Sequence, residues 1–200
     1  MMGDQALAIC NWLARWAARV AGITVLLAAL LVSGDVIVRK LFGLTMGGSD
    51  ELSGYALAIA VSWGSSSVLL NRSHIRIDVL YQYFPRAIQA VFNIISLVAL
   101  ASFVGLLVRY SWEVVFASWD MNSLSNTPLQ TPLWLPQGLW FVGFCLFLIT
   151  LIVLLWNSLF ALVKGDIDRV QQLLAPKSGL DEAQEEASFA KSQSTHREDV

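Results

Sequence analysis

His74 and Asp78 stand one helical turn apart, the best spacing for proton-relay work in this 200-residue chain. A carboxylate four residues after an imidazole lies on the same helical face and can orient the ring. No nucleophile or metal partner stands near them in sequence, so the pair reads first as a polar surface anchor. Asp35 and Arg39 share a face at the end of an apolar run, where a structural ion pair is expected ahead of a proton or cation site. Asp50 and Glu51 follow Ser49, which reads as the N-cap of a helix whose positive end suits both acids. Cys10 and Cys145 form neither a CxxC pair nor a metal spacing, and no disulfide between them is expected. The two histidines, His74 and His196, lie outside the apolar runs, which removes axial ligation of a membrane haem. No catalytic, cofactor-binding or metal residue is assigned.

The elements that must position these groups follow from composition. The chain is 56% hydrophobic and 14% charged, with a mean hydropathy of +0.61, too apolar for a water-soluble domain of this size. Its apolar residues gather into four runs, 17–38, 52–70, 87–108 and 133–163. Each is near or beyond the roughly 20 residues that carry a helix across a hydrocarbon core. Helix is the expected state, since unpaired backbone groups in lipid cost several kcal/mol and no barrel-like alternation occurs. The first run is longer than a signal peptide's apolar region and lacks a clear small-x-small cleavage site, so it is expected to be retained. The fold class is an all-α membrane protein with four transmembrane helices.

Orientation follows from lysine and arginine in the short connections. Arg15 and Arg19 precede the first run, Arg72, Arg76 and Arg86 separate the second from the third, and Lys164, Arg169 and Lys177 follow the fourth. These share one side. Opposite them, 39–51 balances Arg39 and Lys40 with Asp50 and Glu51, and 110–132 carries Glu113 and Asp120. Both termini are therefore expected in the cytoplasm. The expected division is a cytoplasmic segment at 1–16, a four-helix transmembrane domain at 17–163, and a cytoplasmic, largely disordered acidic tail at 164–200. Membrane topology accounts for the basic residues, and no nucleic-acid-binding signature is present.

The connector between the second and third runs has its own pattern. On a helical wheel Ile75, Ile77, Val79, Leu80, Tyr83 and Phe84 fill one broad arc, while His74, Asp78 and Gln82 form a polar strip. This predicts a short amphipathic interfacial helix, although the alternation of Ile75, Ile77 and Val79 also permits an extended start. Arg76 falls in the apolar arc and must snorkel or meet an anionic group. Pro85 fits the first turn of the third helix. Within the second helix, Gly54, Ala58, Ser62 and Ser66 form one line of small residues, and Ala56, Ala60 and Gly64 another. Such lines allow close helix approach, either wholly within the chain or with one line against a partner. Trp112, Phe116, Trp119, Trp134 and Trp140 suit an interfacial aromatic belt, with 122–136 expected to be irregular.

Several of these residues together resemble the small integral membrane subunit of tripartite ATP-independent periplasmic transporters, the DctQ-like family. They are Arg39, Asp50-Glu51-Leu52, Gly64, Arg72, His74-Ile75-Arg76-Ile77-Asp78, Leu80, Pro85, Ser125-Asn126-Thr127, Pro132 and Trp134. The resemblance spans about 15–163. It implies a non-enzymatic inner-membrane subunit, surrounded by lipids, that associates with a large multi-helix membrane subunit holding the substrate and ion sites. A periplasmic solute-binding protein would deliver an organic acid, and an ion gradient would drive uptake. This chain would then act as scaffold and docking element, which agrees with its lack of ionisable residues at mid-membrane. The reading from another class is an independent four-helix membrane protein, such as a small homo-oligomeric channel lined by the serines of the second helix.

Overall fold

The computed structural model describes residues 2–44, 47–71 and 84–174. In them five helices follow in order: α1 (Met2–Phe42), α2 (Ser49–Leu70), α3 (Arg86–Asp120), α4 (Trp134–Val163) and α5 (Ile167–Leu174). The first four are long and apolar enough to cross a membrane. No strand forms among the described residues, which contain a single isolated bridge, Leu124 to Pro132. The connector with Arg72, His74, Arg76 and Asp78 and its expected interfacial helix lie outside the described residues, as does the tail beyond Leu174.

Two pairings build the bundle. α1 packs chiefly on α2 and α3 on α4, while contact of α2 with α4 joins the halves. The apolar core runs along α3 and α4 through Ala90, Ile94, Leu97, Val104, Leu151 and Leu154, with Leu69 entering from α2. Hydrocarbon solvent provides no hydrophobic drive for this assembly, so close dispersion contact has to hold it. Two of the buried hydroxyls on α4 bond to their own helix. Thr150 Oγ1 donates to the Leu146 carbonyl and Ser158 Oγ to the Leu154 carbonyl, both at 2.8 Å.

Three helices are longer than the apolar runs that announce them. α1 has 41 residues, absorbing most of the segment expected to precede the membrane domain. Its extra turns have a packing role: Cys10, Ala14, Ala17 and Ala21 are buried at spacings of four, three and four. The Cys10 thiol faces the Thr150 hydroxyl of α4. α3 has 35 residues and continues through Trp112, Phe116 and Trp119, which the sequence reading assigned to a loop. Those rings hold the added turns against α4, with Trp112 5.7 Å from Phe141 and Trp119 4.7 Å from Trp134, centroid to centroid. α2 has 22 residues and begins at Ser49, and α4 has 30, starting within one residue of its expected position. Pro85 stands one position ahead of the α3 helix, as its N-cap.

The start of the expected tail is also folded. Gly165, at φ 74°, reverses the chain after α4. Asp166 Oδ1 then accepts from the Arg169 backbone N–H at 3.0 Å, capping α5. Val170 and Leu174 are buried on the α3–α4 core, and Gln171 Nε2 donates to Gln89 Oε1 of α3 at 3.0 Å.

Candidate functional site

The polar side chains that the fold brings together lie where α1 meets α2, beside the loop from Met121 to Leu133. Asp35, buried near the end of α1, accepts a hydrogen bond from Ser49 Oγ at 3.1 Å. This replaces two expectations. Ser49 is the first residue of α2, preceded by Gly48 as N-cap without a side-chain cap bond, so its hydroxyl is directed at α1. Among the described residues no Asp35–Arg39 ion pair is seen: Arg39 is exposed, and a surface ion pair joins Arg109 to Glu113 at 2.9 Å on α3. A carboxylate set against the first turn of α2 still meets the positive end of that helix, now from a neighbouring element.

One turn further, Glu51 links α2 to the distant loop. Its Oε1 accepts from the Tyr55 hydroxyl at 2.5 Å, and its Oε2 accepts from Thr127 Oγ1. An ionised carboxylate only accepts, so both hydroxyl protons must point toward it. That commits the Thr127 proton, and Ser125 Oγ lies 2.9 Å from Thr127 Oγ1 in the same cluster. The Thr127 backbone N–H donates back to Ser125 Oγ at 3.3 Å, closing a local turn.

The loop expected to be irregular is internally paired. Ser125 N donates to the Thr131 carbonyl at 2.9 Å and Leu133 N to the Ser123 carbonyl at 3.0 Å. These bonds flank the Leu124–Pro132 bridge and deliver the chain into Trp134. Asn122 and Gln130 take positive φ, 48° and 46°, a conformation that asparagine tolerates better than glutamine. Leu129 covers Gly48 so closely that a Cβ there would lie 2.2 Å from Leu129 Cδ1. The α1–α2 turn and the 121–133 loop thus form one surface.

The small-residue lines divide differently from their sequence spacing. Ala56, Ser62 and Ser66 are buried, Ala58, Ala60 and Gly64 are partly buried, and Gly54 is exposed. Ser62 sits against Gly143 of α4, where an added Cβ would meet the Ser62 backbone carbon at 2.9 Å and Trp63 Cδ1 at 2.5 Å. Trp63 Nε1 donates to the Leu139 carbonyl at 2.8 Å across the same contact. A Cβ on Gly54 or Gly64 would meet nothing within 4 Å.

Sequence reasoning singled out Glu51 and Ser125-Asn126-Thr127 separately, without joining them or including Tyr55. It also missed Gly143 and the Asp35–Ser49 contact. Pro132 and Trp134 shape the loop exit, while Arg39 extends from the end of α1 without joining the polar network. Cys10 and Cys145 are free thiols. Among the described residues no three His, Cys, Asp or Glu side chains gather into a metal-binding group. The network around Glu51 contains hydrogen-bond donors and one acid.

Apolar helices spanning a membrane several times, with their organised polar contacts at one end, define a multi-pass membrane protein. The chain belongs to the family described as tripartite ATP-independent periplasmic transporters, DctQ component, whose model matches residues 28–161. It is thus a small subunit of a transporter located in the inner membrane. Comparison with curated proteins and with solved structures gives no match.

Proposed function

We propose that this subunit is the scaffold on which the large membrane subunit is held and the site where a periplasmic solute-binding protein is helped to dock. The transported solute is an organic acid, and an ion gradient drives its uptake. Both termini face the cytoplasm, a reading supported by the arginines and lysines of the inner connections, and the surface built on Glu51 faces the periplasm.

The tie from Glu51 to Thr127 is the observation that supports this reading best. It braces a loop against a helix start, as a docking surface needs, because a pre-ordered loop loses little entropy on binding. The partly buried small residues of α2, Ala58, Ala60 and Gly64, set how closely the bundle and its partner subunit approach.

Reconstitution of this chain with its large subunit in proteoliposomes tests the proposal. Uptake of a carboxylate should require both subunits, the binding protein and an imposed ion gradient. Uptake by the large subunit alone at an unchanged rate would remove the scaffold role. Ion flux through this chain alone would favour an independent channel.

A further inference from the structure

Between α1 and α2, near their connecting turn, lies an open cleft of about 580 Å³. Val25, Ala29 and Val32 of α1 and Leu57 of α2 form its apolar walls, with Gly54 among its lining residues. Its size falls within the roughly 300–1,000 Å³ of small-molecule sites. At its polar end stand Asp50 and Ser53. The Ser53 hydroxyl donates to the Asp50 carbonyl at 2.8 Å, leaving its oxygen able to accept. The Asp50 side chain is exposed and makes no ion pair or hydrogen bond among the described residues. In the last turn of α1, at the same end of the bundle, Arg39 and Lys40 supply the opposite charge.

From this arrangement we infer that the cleft binds a phospholipid with a primary-amine headgroup, from the leaflet on the side of the α1–α2 turn. One acyl chain lies along Val25, Ala29, Val32 and Leu57. The ammonium group meets the Asp50 carboxylate and Ser53 Oγ, and the phosphate lies toward Arg39 and Lys40. Charge complementarity selects this occupant. A purely hydrocarbon occupant offers nothing to the Asp50 carboxylate that lines the cleft, whereas a zwitterionic headgroup offers an ammonium to it and a phosphate to the cations of the last turn of α1, which lie beyond the cleft lining. The inference does not rest on the proposed transport role.

Native mass spectrometry of the full chain, released from nanodiscs of phosphatidylethanolamine and phosphatidylglycerol in equal amounts, tests it. The wild type should retain phosphatidylethanolamine about three- to fivefold over phosphatidylglycerol, the scale of one partly exposed ion pair. Asp50→Asn removes no contact within the chain and should abolish that preference while lipid is still retained. Gly54→Phe should fill the cleft and lose the bound lipid. Equal retention of the two lipids by the wild type, or unchanged retention by Gly54→Phe, would overturn the assignment. So would efficient photocrosslinking from position 57 to another polypeptide in native membranes, which would make the cleft a protein contact.

Discussion

Ser49 Oγ donates to Asp35 Oδ2 at 3.1 Å, tying the first residue of α2 to the last turns of α1. The carboxylate is buried, so its hydrogen bonds have no nearby water to replace them. Replacing Asp35 with alanine should destabilise the α1–α2 pairing by about 1.5–3 kcal/mol, the range for hydrogen bonds to a charged group. Asparagine, which still accepts through one oxygen, should lose less. Unfolding in mixed micelles with increasing denaturing detergent gives both values, and equal stability of all three proteins would show that the contact contributes nothing.

Glu51 accepts from two hydroxyls on different elements, and its variants should separate local from distant effects. Glu51→Ala leaves the Thr127 hydroxyl without its acceptor and should raise amide exchange across 121–133 by about tenfold for each 1.4 kcal/mol lost. Tyr55→Phe removes a hydroxyl that bonds Glu51 and also reaches Ser125, while leaving the Glu51–Thr127 bond in place, and should raise exchange in that loop less than Glu51→Ala does. If both variants exchange alike, the brace does not run through Thr127.

Gly143 and Gly64 have opposite surroundings. Gly143→Ala places a methyl group against Ser62 and Trp63 and should cost about 1–3 kcal/mol, as for an overpacked core. Gly64→Ala enters open space and should be neutral or stabilising by up to about 1 kcal/mol through helix propensity. Thermal inactivation of the purified protein, read as loss of monodisperse material, should order the proteins as Gly64→Ala, wild type, Gly143→Ala.

The connector arginines carry part of the proposed orientation signal. Neutralising Arg72, Arg76 and Arg86 together removes three cationic residues from one connection and should produce a mixed topology. Accessibility of cysteines placed in the 121–133 loop should become two-sided, whereas one-sided labelling in the triple variant would assign orientation to other charges.

The spans were legible because lipid imposes a length and a composition that soluble cores do not. Helix ends were less so. Trp112, Phe116 and Trp119 have interfacial composition but helical spacing, and composition was given the greater weight in placing them in a loop. The Ile167, Val170 and Leu174 face of α5 had the spacing of a buried stripe, yet it stood within a polar tail. The Glu51–Thr127 tie crosses 76 positions of sequence, and no local pattern reports a partner at that distance. Asp35 gave a local answer, Arg39, to a question the fold answers through Ser49.

The lengths of the helices have a geometric consequence. At 1.5 Å per residue, α1 runs for about 60 Å and α3 for about 50 Å, against a hydrocarbon layer of roughly 30 Å. Even a lean of about 40°, the upper end of the usual range, leaves α1 spanning about 46 Å along the bilayer normal. It emerges from the hydrocarbon while still helical, joined to α2 near one end by Asp35 and facing α4 near the other through Cys10. α1 therefore presents helix to the headgroup and aqueous layers as well as to the hydrocarbon, and its two ends are held by different neighbours.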